Sequence, residues 1–561
     1  MKTLFNNGWS FAKTKADDSL ENDWNADYKP VDIPHDWLIY NAKDLYETSF
    51  GRYVKTFDFG KVSGKSIRLY FEGVYMDCTV YVNGEVAGEN KYGYSTFEVD
   101  LTDKLHDGEN EIKVLVRHRS PNSRWYSGAG IFRDIYLIVT EKSYLATDGV
   151  YFHTDKTADG FDVKLSAEVV NPDGLTIEFT LSKDDDILYN AEISAETVTE
   201  TAFSLTDISD DHIWDIDSPN LLTLSVALKK DGKVINSNTQ KVGLREIEYK
   251  PDSGFYLNGR HIKLNGVCLH HDLGCLGAAV NTRAIERQLQ IMKEMGVNAI
   301  RTSHNAPAPE LLDLCDRMGL LVQDESFDMW ERRKSPYDYA RYFAEWHERD
   351  LTDEILRDRN HASVFMWSIG NEVLEQWSHA DATELDLQAA NLILNAGHAI
   401  DPALLKDTTL SRQSLITRHL AAIVKRLDTS RVVTAGCNEV NPANHLFRSD
   451  ALDVLGFNYH EQYLEPFLRN FPGRKLIVSE STSALMTRGY YEMPSDHIYI
   501  RPESWDKPFE APEHVCSSYD NCHVPWGSTH EKTWHLVKTL PHVSGLFVWT
   551  GFDYLGEPTP Y

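Results

Sequence analysis

Two glutamates in this sequence, Glu372 and Glu480, each stand at the end of a short, mostly apolar run. Two carboxyl groups that face each other can cleave a glycosidic bond, because one attacks or activates water while the other protonates the leaving oxygen. Carboxyl groups about 5–5.5 Å apart cleave the bond with retention of the anomeric configuration, and groups about 6.5–9.5 Å apart cleave it with inversion. The sequence does not give this distance and leaves both outcomes open. The simpler alternative is that either glutamate caps a helix or forms an ion pair.

The two runs belong to a series of eight nearly all-apolar runs, which is typical of strands buried on both faces. Helical patterns such as Thr282–Met295 and Ser411–Leu427 lie between them. Eight such units predict a (β/α)8 TIM barrel, with the active site at the carboxyl ends of the strands. Glu372 and Glu480 would then share one rim, at strands 4 and 7. The runs are Leu264–Leu269, Asn298–Thr302, Leu320–Gln323, Val364–Ile369, Arg431–Ala435, Val454–Phe457, Leu476–Ser479 and Gly545–Trp549.

Two β-rich segments precede the barrel. Residues 1–143 and 144–243 show period-two alternation separated by turn signals, which predicts two antiparallel sandwiches, the second immunoglobulin-like. The barrel would occupy residues 244–561. Its eighth run ends at Trp549, and the few residues that follow leave no room for an eighth helix. We therefore expect a barrel that is incomplete at the C-terminus, from a longer natural chain.

The charge balance disfavours several partners. The chain has 56 Lys and Arg against 85 Asp and Glu, a formal net charge of −29. Nucleic acid and anionic membranes attract positive surfaces, so neither is an expected partner. The start, MKTLFNNGWSF, lacks the roughly 7–15-residue apolar stretch of a secretory signal, and no run approaches the roughly 18 apolar residues of a membrane span. A cytoplasmic protein is expected.

Two stretches carry a family resemblance. Ile300 to Val373, with IRTSHNAPAPELLDLCDRMGLLVQDE and NHASVFMWSIGNEV, resembles glycoside hydrolase family 2. RWYSGAGIFR, Arg124–Arg133, resembles the jelly-roll signature of that family, whose domain order is jelly roll, immunoglobulin-like domain and barrel. The resemblance implies a retaining exo-β-glycosidase, with Glu372 as acid/base and Glu480 as nucleophile.

Further residues of the rim are expected to bind the sugar. Asn371 precedes the acid/base and is placed to hydrogen-bond the sugar 2-hydroxyl. The family places a tyrosine against the nucleophile and a histidine against the substrate, and Tyr459 and His304 stand at the matching positions. Trp549, at the end of the eighth run, is expected to stack on the apolar face of the sugar.

Two histidines and several carboxylates complete the predicted rim. His271 and its neighbour His270 follow the first run and are expected to line the site. Glu325, Glu439 and Glu461 also follow predicted strands, but they match neither family motif. We therefore expect no catalytic role for these three.

No metal or cofactor is expected. Some β-galactosidases of the family hold magnesium near the acid/base through a Glu-x-His pair after the third strand. Residues Asp324–Trp330 read DESFDMW here, without that histidine. The seven cysteines form no CxxC pair and the 22 histidines no HxxxH or HExxH motif, so neither a zinc site nor a disulfide framework is indicated.

The resemblance leaves the sugar open. Ser479–Tyr490 and Trp549–Glu557 most resemble a bacterial β-galactosidase subgroup that is also similar to certain β-glucuronidases. Terminal non-reducing β-D-galactosides are the expected substrates, with β-glucuronides as one alternative and a non-catalytic carbohydrate-binding relative as another. The family's Asn-x-Lys pair for a glucuronide carboxylate normally lies beyond the last barrel strand, and Arg488 is a local basic candidate. Homo-oligomers are a further expectation, since relatives often assemble.

The long segment from Ser481 to Trp526 has two open interpretations. It contains two tryptophans and several prolines and is too long for a simple connection between a strand and a helix. It would form either an aromatic wall over the aglycone side or an excursion that covers the barrel edge.

Overall fold

The computed structural model shows two β-sandwiches followed by a barrel. The residues that it describes are 1–377, 410–485, 489–501, 509–511, 513, 515–518, 520–524 and 526–556.

The first sandwich is built from ten strands whose alternate side chains point inward. In the strand Lys65–Phe71, for example, Ile67, Leu69 and Phe71 are fully buried. The strands are β1 (Lys2–Leu4), β2 (Trp9–Lys15), β3 (Lys29–Val31), β4 (Ser49–Phe59), β5 (Lys65–Phe71), β6 (Cys78–Val82), β7 (Glu85–Asn90), β8 (Phe97–Asp100), β9 (Gly108–His118) and β10 (Ile135–Glu141). They form two antiparallel sheets in the orders β1-β10-β5-β8 and β3-β2-β4-β9-β6-β7.

The second sandwich is smaller and follows the same alternation. Leu222, Leu224, Val226 and Leu228 are fully buried along a single strand. The strands are β11 (Tyr144–Lys156), β12 (Phe161–Val170), β13 (Thr176–Lys183), β14 (Asp186–Ser194), β15 (Val198–Leu205), β16 (Leu222–Lys230) and β17 (Lys233–Val242). Their sheet orders are β11-β12-β15 and β14-β13-β16-β17, an immunoglobulin-like arrangement.

The barrel follows a short three-stranded sheet, β18 (Ile247–Lys250), β19 (Gly254–Leu257) and β20 (Arg260–His261). Eight parallel strands then close into a ring in sequence order. They are β21 (Leu264–Leu269), β22 (Ala299–Thr302), β23 (Leu321–Glu325), β24 (Val364–Asn371), β25 (Val432–Cys437), β26 (Leu455–Asn458), β27 (Leu476–Thr482) and β28 (Val543–Trp549).

Amphipathic helices cover the outside of this ring. In the first of them Ile285, Leu289 and Met292 form the buried stripe. The described helices are α1 (Thr282–Glu294), α2 (Pro309–Met318), α3 (Ala340–Asp358), α4 (Arg412–Leu427), α5 (His445–Arg448), α6 (Phe467–Asn470) and α7 (His530–Thr539). In the described part of the chain, none of the helices has both the length and the apolar surface needed to span a bilayer.

The barrel prediction is confirmed, since each of the eight predicted runs forms one strand of the ring. β28 pairs with β21 in parallel and closes it. Two strands run further than their apolar residues, because polar rim residues still pair along the backbone. β24 reaches Asn371 and β27 reaches Thr482, so Glu480 lies within a strand, opposite Asn458.

The first sandwich docks directly on the barrel. The guanidinium of Arg133 donates to the carbonyl oxygens of Ala306 (2.8 Å) and Pro307 (3.0 Å), which follow β22. The hydroxyl of Ser95 donates to the Asp350 carboxylate of α3 at 3.0 Å. These contacts place the loop before β10 beside the carboxyl ends of the barrel strands.

Candidate active site

The structure brings both glutamates to the carboxyl-end rim, and both side chains are buried, at 6% and 4% exposure. Glu372 follows β24 with a φ of +41°, a left-handed conformation that is uncommon for a residue with a side chain. Its N–H donates to the carbonyl oxygen of Gly436 at 2.7 Å. The carbonyl oxygen of Glu480 accepts from the N–H of Tyr459 at 2.7 Å. Neighbouring strands therefore hold both backbones in place.

A single buried arginine, Arg301 of β22, connects the two halves of the rim. Its Nη1 is 2.7 Å from Glu480 Oε1, and its Nη2 is 2.8 Å from the amide oxygen of Asn371. Its Nε and Nη2 donate to Glu325 at 3.0 and 2.8 Å. Because the guanidinium is planar and its donors have fixed directions, these bonds orient the Glu480 carboxylate.

Asn458 of β26 performs the matching task for the other glutamate. Its Nδ2 donates to Glu372 Oε1 at 3.0 Å and to the amide oxygen of Asn371 at 3.1 Å. Its own amide oxygen accepts from the hydroxyl of Ser479 at 2.6 Å. The two carboxyl groups are thus linked through Arg301, Asn371 and Asn458.

The electrostatics of Glu480 reflect burial and its two charged neighbours. Burial raises the pKa of Glu480 to about 7, the Arg301 guanidinium acts to lower it, and the charge of Glu372 acts to raise it. Because Arg301 donates directly to the Glu480 carboxylate, its guanidinium favours the ionised form of Glu480.

Asn371 and His304 both belong to this network. Asn371 Nδ2 donates to Asp328 at 3.1 Å; an amide nitrogen carries two hydrogens, so one more is available to a ligand. His304 Nδ1 lies 2.8 Å from Glu325 Oε1, and its Nε2 lies 3.7 Å from Glu480 Oε1. Burial, reinforced by the charge of Arg301, lowers the pKa of His304 well below its usual range, so the ring is neutral.

An aromatic wall stands beside the glutamates. The Trp549 indole stacks on the His304 ring with centroids 5.1 Å apart and planes 4° from parallel. The rings of His270 and Tyr554 pack edge-to-face against the same indole, with centroids 5.3 and 5.6 Å from its own. Trp125 of the first sandwich contacts His304 at 5.4 Å. Both the first sandwich and the barrel therefore contribute residues to this wall.

Tyr459 and His271 occupy different environments. Tyr459 lies next to Glu480, and burial together with the Glu480 charge raises the pKa of its hydroxyl well above the usual range, so the phenol keeps its proton. His271 turns away from the glutamates: its Nε2 is 3.0 Å from the carbonyl oxygen of Ser127, and its ring meets Tyr94. His270, rather than His271, joins the aromatic wall.

A pair of cations beside Glu372, the buried Lys334 and the partly buried Arg124, was not predicted. Arg124 Nη2 bonds to Asp328 at 2.7 Å, and Arg124 Nη1 lies 3.9 Å from Glu372 Oε2. Lys334 Nζ donates to Asp328 and to the Asn371 carbonyl oxygen, both at 2.7 Å. The first sandwich thus places a positive charge next to the predicted acid/base.

Three of the four site residues that were not predicted, Arg301, Arg124 and Asn458, could have been identified from sequence features. Arg301 is a charged residue within a run of otherwise buried strand residues, and burial of an arginine requires partners. Arg124 lies in the quoted jelly-roll motif, and Asn458 directly precedes Tyr459. Lys334 comes from the connection between β23 and α3, where no pattern identifies it.

The remaining rim carboxylates have structural partners. Glu325 accepts from Arg301 and from the Ser368 hydroxyl at 2.6 Å. Glu439 Oε1 accepts from Asn441, and Glu461 Oε1 accepts from Thr533 at 3.0 Å. Arg488 falls outside the described residues.

Across the described ranges, one group of three acidic residues lies close enough to share a cation. It consists of Glu72, Asp134 and Glu310. Neither Glu372 nor Glu480 belongs to it.

The segment from 481 to 526 is described in parts. Isolated bridges join Ala484 to His523 and Tyr490 to Ser517, so its two ends run beside each other next to β27. Trp526 is partly exposed. Its other tryptophan, Trp505, lies outside the described residues.

Three family profiles match consecutive parts of the chain. The profile described as the sugar binding domain of glycosyl hydrolases family 2 matches residues 2–141, a second family 2 profile matches 145–245, and the TIM barrel domain profile matches 248–550.

Individual relatives agree with these profiles. A β-galactosidase of Bacteroides ovatus is 50% identical over 96% of this chain and 66% of its own length. A putative β-glucuronidase of Formosa agariphila is 30% identical over 99% of this chain and 52% of its own length. The solved structure of a β-glycosidase from Bacteroides vulgatus is 31% identical with a TM-score of 0.81, covering 99% of this chain and 71% of that one. The chain therefore spans about half to two thirds of these curated relatives, and it belongs to glycoside hydrolase family 2.

Proposed function

We propose that this protein is a retaining exo-β-glycosidase that removes terminal non-reducing β-D-galactosyl residues. The observation that carries the proposal is the Arg301 guanidinium, which bonds to Glu480 while contacting the Asn371 amide beside Glu372. It separates the roles of two otherwise similar carboxyl groups. The one that it contacts is suited to be the ionised nucleophile.

The proposed reaction has two steps. Glu480 attacks the anomeric carbon while Glu372 gives its proton to the departing glycosidic oxygen, which leaves a glycosyl ester on Glu480. Glu372, now ionised, takes a proton from water, the water oxygen attacks the anomeric carbon, and Glu480 leaves as a carboxylate. In this reaction we expect the second N–H of Asn371 to donate to the sugar 2-hydroxyl and Trp549 to stack on the apolar face of the sugar.

A galactoside is favoured by the 50% identical relative, which is a β-galactosidase. A β-glucuronide is the second candidate, because a substrate carboxylate needs a cation and Arg124 and Lys334 lie close to Glu372. Both cations are already paired with Asp328, so they offer less charge to a second carboxylate. Assembly into oligomers and a cytoplasmic location stay predictions from the sequence.

Comparison of nitrophenyl β-galactoside with nitrophenyl β-glucuronide tests the substrate. We expect kcat/KM for the galactoside to be higher by about 100-fold or more, because polar groups that are left unpaired by the wrong sugar penalise it. Nuclear magnetic resonance of the first product should show the β-anomer. A higher kcat/KM for the glucuronide would contradict the galactoside proposal and favour a β-glucuronidase. Binding of galactose or glucuronic acid without hydrolysis of either substrate would identify a non-catalytic relative.

The Arg124 cation should contribute to turnover. Arg124→Gln removes the positive charge that lies 3.9 Å from Glu372 Oε2, so we expect kcat/KM to fall by about tenfold while Tm stays near that of the parent. Arg119→Gln is the matched control, since Arg119 pairs with Asp18 at the surface of the same sandwich. A Tm lowered together with the activity of Arg124→Gln would show that Arg124 acts only through folding, and unchanged kcat/KM would exclude a role for its charge.

A further inference from the structure

A cavity lies at the end of the barrel opposite to the two glutamates. It has a volume of about 300 Å³ and sits where the immunoglobulin-like sandwich meets the starts of the barrel strands. Lys156 of β11 and Arg245 after β17 line it from one side. Arg359 after α3 and Arg431 before β25 line it from the other. No residue of the active site described above contributes to it.

The charge of this lining is the reverse of the charge of the chain. Four lysine and arginine side chains line it together with two carboxylates, Asp155 and Glu246, whereas the whole chain carries a net charge of −29. Asp155 is engaged by His153 at 3.1 Å and by Lys164 at 3.4 Å. It therefore contributes little compensation to the arginines.

Two of the arginines have donors without acceptors. Arg245 Nη2 donates to the Val364 carbonyl oxygen at 2.5 Å, and Arg359 Nη1 donates to the Leu427 carbonyl oxygen at 3.1 Å. The Nε atoms of both arginines are buried and have no hydrogen-bond partner. The acceptors of the protein therefore satisfy only part of the hydrogen-bonding capacity of these two charged groups, which is costly for a buried guanidinium.

The carboxylate of Asp428, which pairs with Arg431, already accepts several hydrogen bonds. Asp428 accepts from Arg431 (2.7 Å), from the Trp367 indole (2.9 Å) and from the Tyr151 hydroxyl (3.0 Å). Burial and, to a lesser extent, the neighbouring charge of Arg431 together lower the pKa of Arg245 to about 9. Arg245 still carries its positive charge at neutral pH.

Direct contacts between the barrel and the immunoglobulin-like sandwich border the cavity. Asn360 of the barrel donates to the Val150 carbonyl oxygen at 2.7 Å and accepts from the Phe152 N–H at 2.9 Å. The guanidinium of Arg359 lies 4.4 Å from the Tyr151 ring centroid. The contact with the Tyr151 ring holds Arg359 in place before any ligand arrives, which lowers the entropy lost on binding.

We propose that this cavity binds a small dianionic oxyanion, a phosphate or sulfate group, through Lys156, Arg245 and Arg359. Several planar guanidinium donors around one pocket match the oxygens of such a group. The bound anion bridges the immunoglobulin-like sandwich and the barrel and stabilises their contact. The site is independent of the hydrolytic reaction, so the proposal does not rest on the proposed function.

Calorimetric titration and thermal unfolding with inorganic phosphate test this site, against sodium chloride at the same ionic strength. We expect saturable binding and a rise in Tm that follows the phosphate concentration, because a ligand that binds only the folded state stabilises it. A parallel titration with glucose 6-phosphate distinguishes the source: tighter binding than phosphate indicates a phosphorylated sugar, and equal or weaker binding indicates the free anion.

Two variants and one control make the result specific. Arg359→Gln and the more exposed Lys156→Gln should each weaken phosphate binding about tenfold or more. Lys241→Gln, which removes a surface lysine bonded to Thr223 on the same sandwich, should bind as the parent does. Absence of saturable binding in the parent, or equal binding by Lys156→Gln, would overturn the proposal.

Discussion

Replacing Glu480 by glutamine is expected to lower kcat on nitrophenyl β-galactoside by about 10⁴-fold or more. An amide oxygen is a poor nucleophile and cannot leave as a stable anion, so neither step of the reaction proceeds. The shape of the side chain is preserved, and its oxygen can still accept from Arg301, so the fold should be retained. Steady-state kinetics, with Tm as a check on folding, provide the measurement.

Glu439→Gln is the matched control for this variant. Glu439 is buried on the same rim, and its Oε1 accepts from the Asn441 side chain. Its replacement should leave kcat within about twofold of the parent. Turnover by Glu480→Gln near the parent rate, in protein shown to be free of a contaminating glycosidase, would exclude Glu480 as the nucleophile.

Removal of the acid/base should produce a different pattern. In Glu372→Ala, kcat on substrates with a poor leaving group should fall by about 10²–10⁴-fold, because no proton reaches the departing oxygen. Dinitrophenyl glycosides need little protonation, so their first step should be nearly unaffected and the glycosyl ester should accumulate. Azide should then restore turnover and yield a β-glycosyl azide, since an anion attacks without a general base.

Glu331→Ala controls for the loss of a carboxylate on the same side of the barrel. Glu331 forms a surface ion pair with Arg412, and its replacement should leave the rate and the azide response unchanged. If azide failed to accelerate Glu372→Ala with the dinitrophenyl substrate, another residue would have to be the acid/base.

The barrel was predictable because strands buried on both faces consist of apolar residues throughout. Val364–Ile369 and Leu476–Ser479 show this pattern in the sequence, and both are strands of the ring. Parallel strands in a ring end at one rim, so the shared location of Glu372 and Glu480 follows from the chain direction alone. Their separate roles came from resemblance to a family and stay predictions.

The contacts between side chains of different elements could not be predicted from the sequence. His270 and His271 are adjacent, and which of them faces the glutamates depends on how the chain turns after β21. The approach of Arg124 to Glu372 joins residues 248 positions apart, on separate units. Hydrophobic periodicity describes one element at a time, so it contains no information about such docking.

The position of Arg301 has a consequence for how the barrel assembles. Its guanidinium has no exposed surface, and its partners come from β23, β24 and β27. A barrel in which some of these strands were missing would bury a positive charge without its acceptors, or would have to admit water to its centre, and either state is unfavourable. Partly assembled forms are therefore penalised, and the same residue that orients the predicted nucleophile makes folding of the ring more nearly all-or-none.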